Sequence, residues 1–219
     1  MKLNQRIRIL VLLFAIASFT NSCACKPSPN TPSPALATSR QTEWQTQAYV
    51  AHPDWLAMNI DAKPLEQLRL QLEHLGGVPL KSRGESHITV LTPPEYAQIK
   101  AKLSMPDLDA KANQLDIQHT SWKPLCVARA VDSKDTKKVV YYLVVEAEGL
   151  RSLRHELQTL FVKNGGESSS FDDTHFYPHI TIGFTDRDLF EADGVIKDTR
   201  NCVFDLTTAT GETLTHWNQ

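Results

Sequence analysis

The stretch Pro178-His-Ile-Thr-Ile-Gly-Phe-Thr-Asp-Arg-Asp188, PHITIGFTDRD, sets a histidine and a threonine two apart in a β-branched run. With eight histidines and nineteen threonines in 219 residues, on the order of one His-x-Thr arises by chance, so the tripeptide alone carries little weight. Its context carries more. Residues 86–95 read SHITVLTPPE, again His-Ile-Thr and a β-branched residue, then, after one further residue where the later copy has two, Thr with an acid three positions on. Chance does not bring the same strand, register and helix-start signal twice. The copies lie about ninety residues apart, each after a helix ended by a Gly-Gly pair, and so suggest two related lobes instead of a short tandem repeat.

Working outward, Trp55–Ile60 reads as a strand, and Leu65, Leu68, Leu72 and Leu75 recur at helical spacing until Gly76-Gly77. Ser86–Leu91 is the next strand. Thr92 as N-cap, Pro93 in the first turn and Glu95 at the capping-box position predict a helix to about Leu103. Strand-like runs follow at LDIQHTSW (115–122), KPLCVARAV (123–131) and KKVVYYLVVEA (137–147), with a hairpin turn at DSKDTK (132–137). A helix then presents Leu150, Leu153, Leu157 and Phe161 on one face and ends at Gly165-Gly166. After the strand at YPHITIGFT, Thr185 and Asp188 read as the cap of a further short helix. CVFDLTTATGETLTHW closes the chain as an edge hairpin or strand.

The paired strands, with a strand and a leucine-rich helix before the first, resemble the 2H phosphoesterase superfamily, in particular the bacterial branch labelled Swiss army knife. The resemblance covers roughly residues 45–210 and rests on the tetrads HITV and HITI. It implies an α+β, bilobal, duplicated fold: two antiparallel sheets facing a central cleft, helices outside, one His-x-Thr strand from each lobe. It also implies that His87, Thr89, His179 and Thr181 are catalytic, and that the substrates are cyclic phosphates and RNA ends.

The residue chemistry points to the same four side chains. Positions i and i+2 of a strand share a face, so each histidine joins its threonine while Ile88, Val90, Ile180 and Ile182 face the other way. Opening a 2',3'-cyclic phosphate needs one group to take a proton from the entering water. Another, on the opposite side, must protonate the departing ribose oxygen. Two imidazoles from two lobes meet that geometry, and their ordinary pKa lets one be neutral and one charged near neutral pH. Threonine hydroxyls can donate to the non-bridging oxygens. Such a mechanism uses no metal and no cofactor. Lys81 and Arg83 precede the first strand and are candidates to meet a terminal phosphate. Tyr177 and Phe176 are candidates to stack on a base, and His175 to contact substrate.

The N-terminus carries Lys2, Arg6 and Arg8, then an apolar run from Ile9 to Phe19, then small and polar residues. That run is roughly eleven residues, short of the ~20 that span a bilayer, and residues 1–22 read as a secretory signal. Cys23 after Thr-Asn-Ser resembles a bacterial lipidation site, with Cys25 as a second candidate. Residues 23–42 are Pro-, Ser- and Thr-rich and read as a tether, leaving 43–219 as one globular domain. Loss of the signal leaves 20 basic against 25 acidic residues, about −5, which argues against a general nucleic-acid-binding surface. The expected partners are a small nucleotide or short oligonucleotide and, through the lipid anchor, a membrane. The expected state is a monomer in the periplasm or cell envelope. Cys126 and Cys202 could pair in an exported protein, with two buried free thiols as the alternative nearly level with it.

Two other classes fit parts of this pattern. One is a non-catalytic periplasmic nucleotide- or phosphate-binding module on the same scaffold. The other is a metal-dependent hydrolase built on His175, His179, Asp172 and Asp173.

Overall fold

A computed structural model describes residues 46–206; the signal, the lipidation candidates, the tether and the end of the closing segment lie outside these residues. Strand β1 (Leu56–Ile60) is followed by helix α1 (Ala62–Gly76). The Asp61 side chain caps α1, and Gly77 ends it at φ 64°, a left-handed conformation that costs glycine little. Leu65, Leu68 and Leu72 of α1 are buried. Strand β2 (Ser86–Leu91) runs antiparallel to β1, with His87 opposite Asn59.

The Thr92–Glu95 capping box forms as expected and starts α2 (Pro93–Ile99). That helix stops four residues short of Leu103, and a separate helix, α3 (Met105–Gln114), follows. Ser104 and Asp107 make a second capping box with Pro106 in the first turn, which restarts the chain in a new direction. The run LDIQHTSW is not a strand: Ile117–His119 form a single 3₁₀ turn. Its apolar residues are too few to fill a strand face, and Asp116 enters the turn at φ 50°.

Strands β3 (Lys123–Val131) and β4 (Val139–Glu146) form the expected hairpin. Helix α4 (Glu148–Lys163), strand β5 (His179–Phe184) and strand β6 (Cys202–Asp205) complete the second half. The larger sheet has the order β5-β4-β3-β6 and the smaller one pairs β1 with β2. All strand pairs are antiparallel. Each sheet therefore contributes one His-x-Thr strand, and the fold is α+β with two sheets and four α-helices among the described residues.

One face of the large sheet, carrying Val127, Leu143, Val145, Ile180 and Ile182, joins a single core with α1, α4, β1 and β2. The opposite face carries Ala128, Val140, Tyr142 and Val144 and is covered by Leu189 and Val195. Coverage on both sides explains why Val139–Val145 are all buried. On β5 the pairing register shifts between the partners of Tyr141 and Tyr142. There the chain before β2 crosses closely: a Cβ on Gly183 would lie 3.1 Å from the Lys81 carbonyl oxygen and 3.2 Å from the Leu80 side chain. Lys81 N donates to Phe184 O at 2.8 Å and Phe184 N to Lys81 O at 3.0 Å, stitching the approach to β2 onto the edge of β5.

Cys126 and Cys202 form a disulfide between β3 and the edge strand β6, across 76 residues of chain. Closing a loop of that length removes enough unfolded-state freedom to stabilise by about 4 kcal/mol in the chain-entropy picture. Cys126→Ala/Cys202→Ala should lower the unfolding free energy by about 2–4 kcal/mol. Urea titration of both proteins checks this, and equal midpoints would rule it out.

Candidate functional site

Alternation along β2 and β5 sorts the two motifs as a pleated strand must. Ile88, Val90, Ile180 and Ile182 are buried in the core, whereas His87, Thr89, His179 and Thr181 are half-buried on the other side. On β5, His179 stands opposite Val144 and Thr181 opposite Tyr142, which puts both on the face covered by Leu189 and Val195. The buried Tyr142 ring meets the His179 ring edge-on, 5.9 Å between centroids.

His87 lies close enough to His179 to lower the proton affinity of that imidazole. His179 Nδ1 is 2.7 Å from the Tyr177 carbonyl oxygen. A carbonyl only accepts, so Nδ1 carries the proton and Nε2 is left to give or take one. Burial pushes the His179 pKa well below its ordinary value and Lys197 pushes it further, outweighing the Tyr177 carbonyl and Asp188, which pull the other way. Burial likewise lowers His87 to about 4, assisted by Arg83 and His52. His87 lies against the Trp55 ring at 4.6 Å, and His52 stacks on the far partner of that contact at 3.7 Å.

Beside the histidines lies a charge cluster. Asp188 Oδ1 accepts from Lys197 Nζ at 2.7 Å and from Leu189 N at 2.8 Å. Asp188 Oδ2 accepts from Arg83 Nη2 at 3.0 Å and from the Thr181 hydroxyl at 3.2 Å. Lys197 Nζ donates in addition to Thr181 Oγ1 at 3.1 Å. The side chains of Lys197 and Asp188 are 5 % and 6 % exposed, so this ion pair is satisfied inside the protein. Burial alone would raise the Asp188 carboxyl, but Lys197 and Arg83 hold it below the usual range. Burial also lowers Lys197, more than Asp188 raises it. Phe190 closes the cluster: half exposed, its ring has Lys197 Nζ at 5.5 Å and the Arg83 guanidinium carbon at 5.8 Å.

The structure thus brings together His87, His179, Thr181 and Arg83, with Thr89 beside His87. It does not bring in the others. Lys81 contributes its backbone stitch, and its exposed ammonium reaches the Asp186 carbonyl at 3.2 Å. Tyr177 contributes its carbonyl, while its ring meets the His175 ring edge-on at 5.1 Å. Phe176 is buried. His175 Nε2 contacts Glu191 Oε1 at 2.8 Å. The metal alternative fares poorly on donors: Asp172 bonds Thr174 and Asp173 bonds His155. Among the described residues no three His, Cys, Asp or Glu side chains gather as a metal-binding group.

Sequence reading missed Lys197, Tyr142, Trp55 and His52, and it misread Asp188. Thr185 and Asp188 do not cap a helix. Thr185 Oγ1 accepts from Val139 N at 3.0 Å and donates to Lys137 O at 2.9 Å, holding the β3–β4 hairpin end, while Asp188 turns inward.

Two antiparallel sheets, each supplying a His-x-Thr strand to one site, define a 2H phosphoesterase fold. Residues 54–190 match the family described as "Swiss Army Knife, 2H phosphoesterase domain". The chain belongs to that family, and its general activity is that of a phosphoesterase. Neither the curated proteins nor the solved structures compared with it gave a match.

Proposed function

We propose that the protein is a metal-independent phosphodiesterase that hydrolyses 2',3'-cyclic phosphates, or related 2'-linked phosphodiesters, of nucleotides or short RNA ends. The observation that carries this is the pair of neutral histidines on two different sheets, His87 near enough to act on His179, with threonine, Arg83 and Lys197 at their side. An in-line displacement needs a proton acceptor at the entering water and a donor at the leaving oxygen, one on each side of phosphorus. Histidines on separate strands supply that separation. Thr89 and Thr181 are the hydroxyl donors to the equatorial oxygens, and the partly exposed guanidinium of Arg83 is the cation for the phosphate charge.

In the free protein both imidazoles are held neutral, so the acid must gain its proton as the substrate binds. The negative phosphodiester favours that gain. The sign follows: kcat/KM should rise as pH falls from 8 toward 5, because the scarce form is the protonated histidine. Turnover of 2',3'-cyclic nucleotide monophosphates in the presence of chelator, followed across that range, tests the reading. Loss of turnover in chelator would transfer it to a metal enzyme. Bound ligand without product would transfer it to the binding-module alternative.

The same reading places the protein outside the cytoplasm as a monomer, tethered to a membrane by a lipid on Cys23. The Cys126–Cys202 disulfide supports an oxidising compartment.

A further inference from the structure

We propose that Lys197 is a positioning residue of this site: its ammonium, clamped by Asp188, fixes the Thr181 hydroxyl and places a positive charge beside His179. The inference rests on the phosphodiesterase reading only for its kinetic consequence. Lys197 lies beyond residues 54–190, so the family assignment does not account for it.

Thr181 has one hydroxyl hydrogen and two lone pairs. Lys197 Nζ occupies a lone pair at 3.1 Å, and the hydrogen is directed at Asp188 Oδ2 at 3.2 Å. The hydroxyl is therefore held in one rotamer by two opposite charges. A phosphate oxygen arriving with its own negative charge competes with Asp188 for that hydrogen. Lys197 stays behind the hydroxyl and polarises it toward donation. His179 is two residues from Thr181 on the same strand face, about 7 Å away along the strand. The groups facing His179 are few. They are Lys197 and Asp188 from the segment after β5, His87 from β2, the Tyr177 carbonyl from the chain before it, and the neutral, buried phenol of Tyr142 from β4. Of these Lys197 is the one amine; Arg83 reaches the cluster through Asp188. Nothing else in that list holds the imidazole neutral by charge alone when His87 is itself uncharged.

The test uses the full chain and NMR titration of the histidine Cε1–H resonances from about pH 8 down to about pH 2, below both lowered midpoints, the His179 signal being assigned by its loss in His179→Ala. Lys197→Met removes the charge. Lys197→Gln removes it too but keeps a donor for Asp188, so it protects against a variant that fails to fold. In each folded variant the His179 midpoint should rise by about one pH unit, with His87 moving less. Where turnover is measured, the pH limb belonging to His179 should move by the same amount. An unmoved midpoint in a folded variant overturns the proposal and leaves Lys197 a structural ion pair. Because the titration needs no substrate, absence of turnover in the unmodified protein would sink the phosphodiesterase reading while the midpoints still decide the role of Lys197.

Discussion

His87→Ala and His179→Ala should each lower kcat on a 2',3'-cyclic nucleotide by roughly 10²–10⁴-fold, the usual worth of one positioned acid or base. Removing both should cost little more than removing one, since an in-line displacement with half its proton traffic missing is already stalled. The fold should survive. Neither imidazole holds the core, and among the described residues the closest acidic side chain to His87 is Glu85 at 3.9 Å, beyond hydrogen-bond range. Taking away a buried group with a depressed pKa also removes a liability at low pH. In the native protein, the neutral histidines favour the folded state above their ordinary pKa, and that benefit is lost as pH falls through the lowered values. Steady-state kinetics with a thermal melt on each variant decides the matter. An alanine variant that keeps full turnover would remove that histidine from the mechanism.

Arg154→Met should cost about 3–5 kcal/mol of stability, the penalty for breaking a buried, fully bonded charge. Arg154 is 1 % exposed. From α4 it donates to Val90 O at 2.7 Å, on the first His-x-Thr strand, and to Glu95 Oε1 at 2.8 Å, in the cap of α2. It also donates to the carbonyls of Asp172, Asp173 and His175, in the loop that leads to the second strand. The Phe171 and Phe176 rings flank it at 4.8 and 5.1 Å. One guanidinium thus ties both motifs to one helix, and methionine fills its volume while orphaning those carbonyls. Urea unfolding checks it; a loss under about 1 kcal/mol would show that water replaces the arginine.

Much of this was legible in the chain because strands obey a period of two. That period assigns His87, Thr89, His179 and Thr181 to the face opposite the isoleucines before any coordinates are known, and burial follows it residue by residue. Capping chemistry was equally readable at Thr92 but deceptive at Thr185. Both read as Thr followed three residues on by an acid, Glu95 in one and Asp188 in the other, yet Thr185 satisfies backbone groups of the β3–β4 hairpin 46 and 48 residues away. Asp188 is claimed by two cations, Arg83 105 residues away and Lys197 nine residues on. Lys197 could not be found from its neighbours, since a lone lysine in VIKD has no periodicity and reads as solvent-facing. Arg154 was hidden for the same reason. It stands beside Leu153 in a helix of regular apolar spacing, and only the tertiary structure supplies its five oxygen partners.

The stitch between Lys81 and Phe184 has a bearing on solubility. In the order β5-β4-β3-β6, β5 is a border strand of apolar, β-branched composition, the kind of border that recruits a strand from another molecule. At Phe184 its free amide and carbonyl are already taken by the chain's own residue 81. The other border, β6, is four residues long and held by the disulfide. The chain's own backbone thus closes the Phe184 end of one border of the large sheet, and the disulfide pins the short strand at the other.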